Sequence, residues 1–85
     1  MPTFKVVAVG EVQSVRDLTD GDLNVREVSL PGMSFQVRGH GPVDFPEVGT
    51  TAIVTEPLDA PYRHVLWHDG TAFTSIVVNK DDMWS

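Results

Sequence analysis

The residues whose type and spacing most directly suggest chemistry are the three histidines, His40, His64 and His68. His64 and His68 are four positions apart, a spacing that places two imidazoles on one face of a helix and suits a shared metal ion. On a β-strand the same two residues lie about 13 Å apart, which is too far for one ion. Because the local sequence favours a strand, we predict no metal site and no cofactor.

A group of acidic residues between positions 17 and 27 has part of the spacing of a calcium-binding loop. With Gly21 at the sixth position of such a loop, Glu27 falls at the twelfth, as an EF-hand requires. The first and third positions are then Arg16 and Leu18, which replace two carboxylates with a cation and an alkyl chain. The pattern therefore indicates an acidic hairpin tip rather than a calcium site.

The usual sequence signs of nucleophilic catalysis are missing. None of the serines lies in a Gly-x-Ser-x-Gly elbow. Ser75 and His64 could be cross-strand neighbours, but Asp69 would lie at a turn, too far along the strand to orient the imidazole. The segment Gly39-His40-Gly41 has no following lysine or helix N-terminus to hold a phosphate. We therefore predict that the protein is not an enzyme and has no small-molecule substrate.

The elements that position these residues are predicted to be β-strands. The chain has 85 residues, enough for one domain over 1–85, and its 41% hydrophobic content is typical of a globular protein. β-Branched residues run through it, interrupted by turn sequences such as Asp20-Gly21 and Pro31-Gly32. We expect a long first strand over residues 3–16. A strand of that length must bend to fit so small a domain, and Gly10 is the residue that permits the bend.

The sequence Pro31-Gly32 indicates a tight turn between strands at about 23–30 and 33–38. A two-residue turn pairs Leu30 with Met33 and continues along an apolar face. The other face is polar, and it brings Glu27 close to Arg38 as a surface ion pair. Such alternation is typical of a sheet with one face in water.

A further strand is expected over residues 50–56, followed by a last hairpin. The turn Asp69-Gly70 predicts pairing of Trp67 with Ala72 and of Leu66 with Phe73. The spacing of the apolar residues over 62–66 also fits a short helix over about 59–70. We favour strands, but the sequence leaves both alternatives open.

About six strands in roughly meander order, with a long bent first strand, predict an all-β fold. We expect a small single-domain barrel or barrel-like sandwich. Its layout resembles that of oligonucleotide/oligosaccharide-binding (OB) and SH3-like barrels. The resemblance is one of layout only, since no residue motif supports a named family.

Charge limits the choice of partner. Six Lys and Arg residues oppose twelve Asp and Glu residues, giving a net charge of −6, and the chain has no cysteine. An acidic surface favours a protein partner over nucleic acid or anionic lipid. No apolar run approaches the ~18 residues that span a membrane, and residues 1–5 lack the features of a signal peptide. We therefore expect a cytoplasmic or particle-associated protein that is not secreted and does not bind membranes.

The leading functional prediction is an interaction or assembly protein that acts through protein–protein contacts. It would form a homo-oligomer, or serve as an accessory or decoration subunit of a larger particle such as a viral one, the latter by analogy between folds alone. Aromatic residues and methionine are enriched at interfaces. The predicted interface lies in the last hairpin and in a short acidic tail at 80–85, and comprises Tyr62, Trp67, Phe73, Met83 and Trp84.

The alternative prediction is single-stranded nucleic-acid binding by an OB-type sheet. Such domains stack bases on aromatic side chains and contact the phosphates with Arg or Lys. Arg38 and Gln36 are predicted to share the polar face of one strand. The complete predicted nucleic-acid surface comprises Arg16, Arg26, Gln36, Arg38, Arg63 and Trp67.

Overall fold

The computed structural model describes residues 3–85, which form eight β-strands in two four-stranded antiparallel sheets. The strands are β1 (Phe4–Glu11), β2 (Ser14–Asp17), β3 (Asn24–Leu30), β4 (Met33–Gly39), β5 (Thr51–Pro57), β6 (Tyr62–His68), β7 (Phe73–Asn79) and β8 (Met83–Trp84). The first sheet has the order β1-β5-β6-β7 and the second the order β2-β3-β4-β8. The all-β prediction is confirmed, but within residues 3–85 no strand ladder joins the sheets into a closed barrel. No helix in this part of the chain is long and apolar enough to cross a membrane.

The predicted long first strand is divided between the two sheets. β1 pairs with β5 and β2 pairs with β3, so the chain changes sheet between them. The change occurs at Val12 and Gln13, whose amides donate to Thr50 in one direction and Ser29 in the other, each at 2.8 Å. The prediction of a bend at Gly10 was therefore wrong by two residues. Because the first strand is divided and another is added at the end of the chain, eight strands replace the six expected.

Gly10 lies inside β1, opposite Ala52, and its role is to allow a close approach. A Cβ atom at this position would lie 2.8 Å from Cδ of Pro31, in the turn between β3 and β4. No real Cβ contact is that short, so a side chain here would push the Pro31 turn away. Gly10 thus lets the first sheet pack closely on a turn of the second.

The predicted hairpin of β3 and β4 is confirmed. Leu30 pairs with Met33 across Pro31-Gly32, and Gly32 has the positive φ of 78° that this turn requires. Along the same strands Val28 faces Phe35, and both side chains are fully buried.

Residues 62–68 form a strand and not a helix, which resolves the alternative left open by the sequence. The hairpin of β6 and β7 exists, but its predicted register was wrong by two residues: Trp67 faces Thr74, and Leu66 faces Ser75. The longer loop is stabilised by Asp69, whose carboxylate accepts hydrogen bonds from the amides of Thr71 and Ala72. A two-residue shift leaves every side chain on its expected face.

The end of the chain is part of the second sheet. A 3₁₀ turn over Lys80–Asp82 leads into β8, which pairs with β4. Met83 lies opposite Phe35 and packs against the core. This docking explains how so short and acidic a segment is held in place.

A single core fills the space between the two sheets. It contains the buried side chains of Val12, Val28, Leu30, Phe35, Ala52, Val54, Val65, Trp67 and Val78. The loop between β4 and β5 closes one side, where Phe45 packs against this core and Pro46 is fully buried.

Candidate protein-interaction surface

The outer face of the first sheet is apolar. Successive residues of a strand point to opposite faces, so one row of the sheet (Ala8, Val54, Val65, Ile76) points to the core. The adjacent row, Val6, Thr55, His64 and Val77, points outward. We call this outer surface the apolar face; its large apolar members are Phe4, Val6, Val9, Ile53, Leu66, Phe73 and Val77.

Several of these side chains are far more exposed than apolar residues of their size usually are. Phe73 is 72% exposed, Phe4 65% and Val77 60%. Single exposed apolar residues are common, whereas several on one face are less usual in a monomer. The apolar face is therefore the candidate surface for an interaction.

The polar residues of the apolar face are almost all uncharged. Among residues 3–85, Glu11 is the one carboxylate that its strand pairing places here, at the rim. Two imidazoles make edge contacts with aromatic rings of the same face: His64 with Tyr62 at 5.5 Å and His68 with Phe73 at 5.0 Å between ring centroids. These contacts hold the rings in place on the surface.

The apolar face is not flat. A hollow of about 360 Å³ extends from one end of it to its middle, lined by residues that include Phe4, Pro57, His64, Leu66 and Ser75. Phe73 lies at the opposite end of the face, where β7 begins. The same surface thus carries both a protruding aromatic ring and an apolar depression.

The outer face of the second sheet has the opposite character. One row consists of Ser14, Ser29 and Ser34, with Trp84 beside them on β8. The next row is Arg16, Glu27 and Gln36. We call this surface the polar face; its polar side chains are of the kind that water can solvate.

All six Lys and Arg residues of the chain lie within 4 Å of a carboxylate oxygen. Three of them meet at Glu56, at one end of the core: Lys80 at 2.9 Å, Arg63 at 3.0 Å and Lys5 at 3.5 Å. Hydrogen bonds from Lys80 and Arg63 lower the pKa of Glu56 from its usual 4.5 to about 2. These cations therefore neutralise a half-buried carboxylate of the same chain.

The three remaining cations lie on or beside the second sheet. Arg16 pairs with Glu27 at 3.3 Å, and Arg38 pairs with Asp82. The expected pair of Glu27 and Arg38 was therefore wrong, because Arg16 on β2 and Asp82 in the 3₁₀ turn take up the two partners. Arg26 pairs with Asp17 at 3.1 Å.

The structure separates the residues predicted to form a protein interface. Tyr62 and Phe73 lie on the apolar face. Trp84 lies on the polar face, 43% exposed. Met83 packs against the core, and Trp67 is 5% exposed within it. Trp67 is not available to a partner, because the core requires a large side chain at this point.

The residues predicted to bind nucleic acid are also divided. Arg16, Gln36 and Arg38 share the polar face. Arg26 extends over the ring of Phe45 at 5.5 Å, and Arg63 lies beside Glu56. Trp67 is buried, so it offers no ring on which a base could stack.

The catalytic and metal-binding arrangements that the sequence analysis considered and did not favour are not brought together among residues 3–85. No group of three His, Asp or Glu residues in this region could hold a metal ion. Ser75 faces Leu66, whereas His64 faces Val77. Asp69 is occupied by the loop amides. In the acidic hairpin, Asp17 accepts a hydrogen bond from the amide of Thr19 instead of facing an ion site.

Sequence reasoning missed most of the apolar face. Val6, Val9, Ile53, Leu66 and Val77 carried no functional prediction. A signal was present: β1, β5, β6 and β7 have apolar residues at odd and even positions, as in Val54 beside Ile53. Continuous apolar strands are typical of sheets covered on both faces, whereas β3 and β4 alternate.

No family model matches this chain, and no curated protein or solved structure is significantly similar to it.

Proposed function

We propose that this protein is a non-enzymatic interaction and assembly domain that binds another protein chain through the apolar face. The observation that supports the proposal most is the exposure of Phe4, Val6, Val9, Phe73 and Val77 on the two edge strands of one sheet face, with the half-buried Ile53 and Leu66 between them. A surface of this kind is costly to leave in water and is a typical binding site for a protein.

The chemistry of the apolar face fits a protein partner better than a small molecule. The hollow is open, and its exposed lining is mainly apolar even though Thr55, His64 and Ser75 border it. Aromatic rings at both ends, Phe4 and Phe73, are the type of anchor that dominates binding energy at interfaces. Assembly into an oligomer or a larger particle remains part of this proposal.

Single-stranded nucleic-acid binding is the second candidate, and one observation favours it. Trp84 lies on the polar face together with Arg38 and Gln36, so an exposed ring and a guanidinium share one surface. We rank this function second because Arg38 is already paired with Asp82 and Arg16 with Glu27. Phosphates would have to displace both carboxylates in a chain of net charge −6.

The protein-binding proposal can be tested by photo-crosslinking. A benzophenone amino acid replaces Phe73 on the apolar face or Trp84 on the polar face, and both replacements exchange one exposed aromatic residue for another. After irradiation in the cells that express the chain, crosslinked products are identified by mass spectrometry. We expect a discrete product from the Phe73 position and none from the Trp84 position.

Two results would contradict the proposal. The first is the absence of any protein crosslink at Phe73, and the second is an equal spread of products from both positions. For the second candidate, quenching of Trp84 fluorescence by oligo-dT at low salt, weakened by Arg38→Ala, would reverse the ranking.

A further inference from the structure

We infer that the partner of the apolar face is a second copy of this chain, packed sheet against sheet around a two-fold axis. This inference rests on the proposed function and specifies its partner. Three properties of the apolar face support it: its area, its charge and its shape.

The area is sufficient for a stable dimer. Four strands spaced about 4.8 Å apart and seven or eight residues long cover about 460 Å² in projection. Two copies packed on each other would remove about 900 Å² of this projected area from water, close to the lower bound of about 1,000 Å² for a specific interface. The side chains of Phe4 and Phe73 project from the sheet, so the accessible area exceeds this projection.

The charge distribution permits self-association through this face and disfavours it elsewhere. A chain of net charge −6 repels its own copy wherever carboxylates meet. On the apolar face Glu11 is the one carboxylate placed by strand pairing among residues 3–85, and it lies at the rim. The centre of the face, around Leu66 and Ile53, is uncharged. Two copies can therefore meet here without bringing like charges into contact.

The shape is complementary to itself. An interface with two-fold symmetry requires that every protrusion have its recess on the same surface. Phe73 is highly exposed at one end of the apolar face, and the hollow extends from Phe4 and Pro57 at the other end to Leu66 and Ser75 in the middle. A half-turn about an axis in the plane of the face, between Phe73 and the hollow, would bring Phe73 of each copy over the hollow of the other.

The test measures the mass of the purified protein by sedimentation equilibrium and by light scattering, from about 1 to about 300 µM. We expect the mass to rise from 9.3 kDa to twice that value. Since salt screens the repulsion between acidic copies, we also expect tighter association at about 500 mM than at about 50 mM NaCl. A basic protein partner would show the opposite salt dependence.

The decisive variant is Val77→Glu, and the chain offers a matched control in Val48→Glu. The two valines are 60% and 61% exposed, but Val48 lies in the loop before β5, outside the apolar face. Val77→Glu places two carboxylates in the interface and should raise the dimer dissociation constant by about tenfold or more. Val48→Glu should leave it unchanged. Near-ultraviolet circular dichroism of the buried Trp67 verifies that both variants are folded.

The recess is tested separately. Thr55→Trp fills the hollow and Phe73→Ala removes the ring that enters it, and each should weaken the dimer. A dimer that is insensitive to Val77→Glu and to both of these changes uses another surface and overturns the inference.

A chain that stays monomeric throughout the range also overturns the inference. In that case the photo-crosslinking experiment at position 73 determines whether the proposed function still stands. A product of this chain with a different protein leaves the proposed function standing, whereas no product removes both.

Discussion

The two outer faces of this molecule are built from the same kind of strand and differ in the residues at alternate positions. On the second sheet, Ser29 and Glu27 of β3 point outward while Val28 points to the core. On the first sheet, Ile53 and Leu66 point outward while Val54 and Val65 point to the core. The second sheet has a polar outer face that water can solvate, whereas the first sheet carries large apolar residues on both faces.

This difference shows how an apolar outer surface can arise in a small domain that has no recognisable sequence motif. The core requires apolar residues on only one face of each sheet. The extra apolar residues on β1, β5, β6 and β7 contribute nothing to the core, so the fold alone does not explain them. The proposed partner, packed on this face, would explain them.

The largest expected effect separates core from surface. Phe35→Ala removes a fully buried ring shared by both sheets and should destabilise the fold by about 3–5 kcal/mol. Phe73→Ala on the apolar face should change the stability of the monomer by less than about 0.5 kcal/mol. Both are measured by urea unfolding in the Val77→Glu background, which prevents self-association. Similar losses in the two variants would mean that the apolar face is part of the core.

The next effect concerns the junction that joins the two sheets. Gly10→Ala places a methyl group 2.8 Å from Cδ of Pro31, and we expect a loss of about 1–3 kcal/mol of unfolding free energy. A double variant, Gly10→Ala with Pro31→Ala, should recover part of this loss because the proline ring is removed. No recovery would show that the close approach to Pro31 is not the cause.

Acid stability should depend in part on the cation cluster around Glu56. The pKa of Glu56 is lowered from 4.5 to about 2 by Lys80 and Arg63. A carboxyl group with a depressed pKa in the folded state contributes stability above its unfolded pKa, and this contribution is lost as the pH falls from 4.5 towards 2. Glu56→Gln should therefore be less stable than the wild type at neutral pH and show a flatter loss in this pH window.

The control for this prediction is Glu11→Gln at the rim of the apolar face. No ion pair of Glu11 is found within residues 3–85. Urea unfolding between pH 2 and pH 7 should give the wild-type slope for Glu11→Gln. Equal slopes for Glu56→Gln and Glu11→Gln would contradict the role of the cluster.

The sequence was sufficient wherever a local rule determines the structure. Pro31-Gly32 fixed the register of its hairpin because a two-residue turn with Gly at positive φ leaves one pairing. Asp69-Gly70 gave a hairpin with the wrong register, since the Asp69 carboxylate stabilises a longer loop by binding amides at 71 and 72. The number of residues in such a loop depends on side-chain hydrogen bonds that a dipeptide pattern does not reveal.

The apolar face was predicted only in part because it depends on which side of a sheet is outermost. Phe73 was correctly placed in the last hairpin, but Trp67 was assigned to the same surface although it points to the core. The strands over 62–68 and 73–79 have apolar residues on both faces, so composition could not tell which face was buried. Only the packing of the second sheet against Val65 and Val54 decides it.

The smallest expected effect tests the polar face. Trp84 is the large aromatic residue on that face. It was predicted to be an interface residue only because tryptophan is common at interfaces. Its ring is 43% exposed and lies beside Ser34, so Trp84→Ala should cost less than about 1 kcal/mol of unfolding free energy. Its effect on the dimer dissociation constant should be within about twofold, whereas Phe73→Ala should weaken the dimer clearly.

The Trp84→Ala variant thus tests whether the two faces differ in binding as well as in composition. If Trp84→Ala disrupts association as strongly as Phe73→Ala, both faces bind, and a continuous chain of molecules becomes possible instead of a closed pair. If only Phe73→Ala does so, association ends at two copies and the polar face stays in water. The mass of the wild type at high concentration distinguishes these cases independently, since a chain of molecules grows beyond twice 9.3 kDa and a closed pair does not.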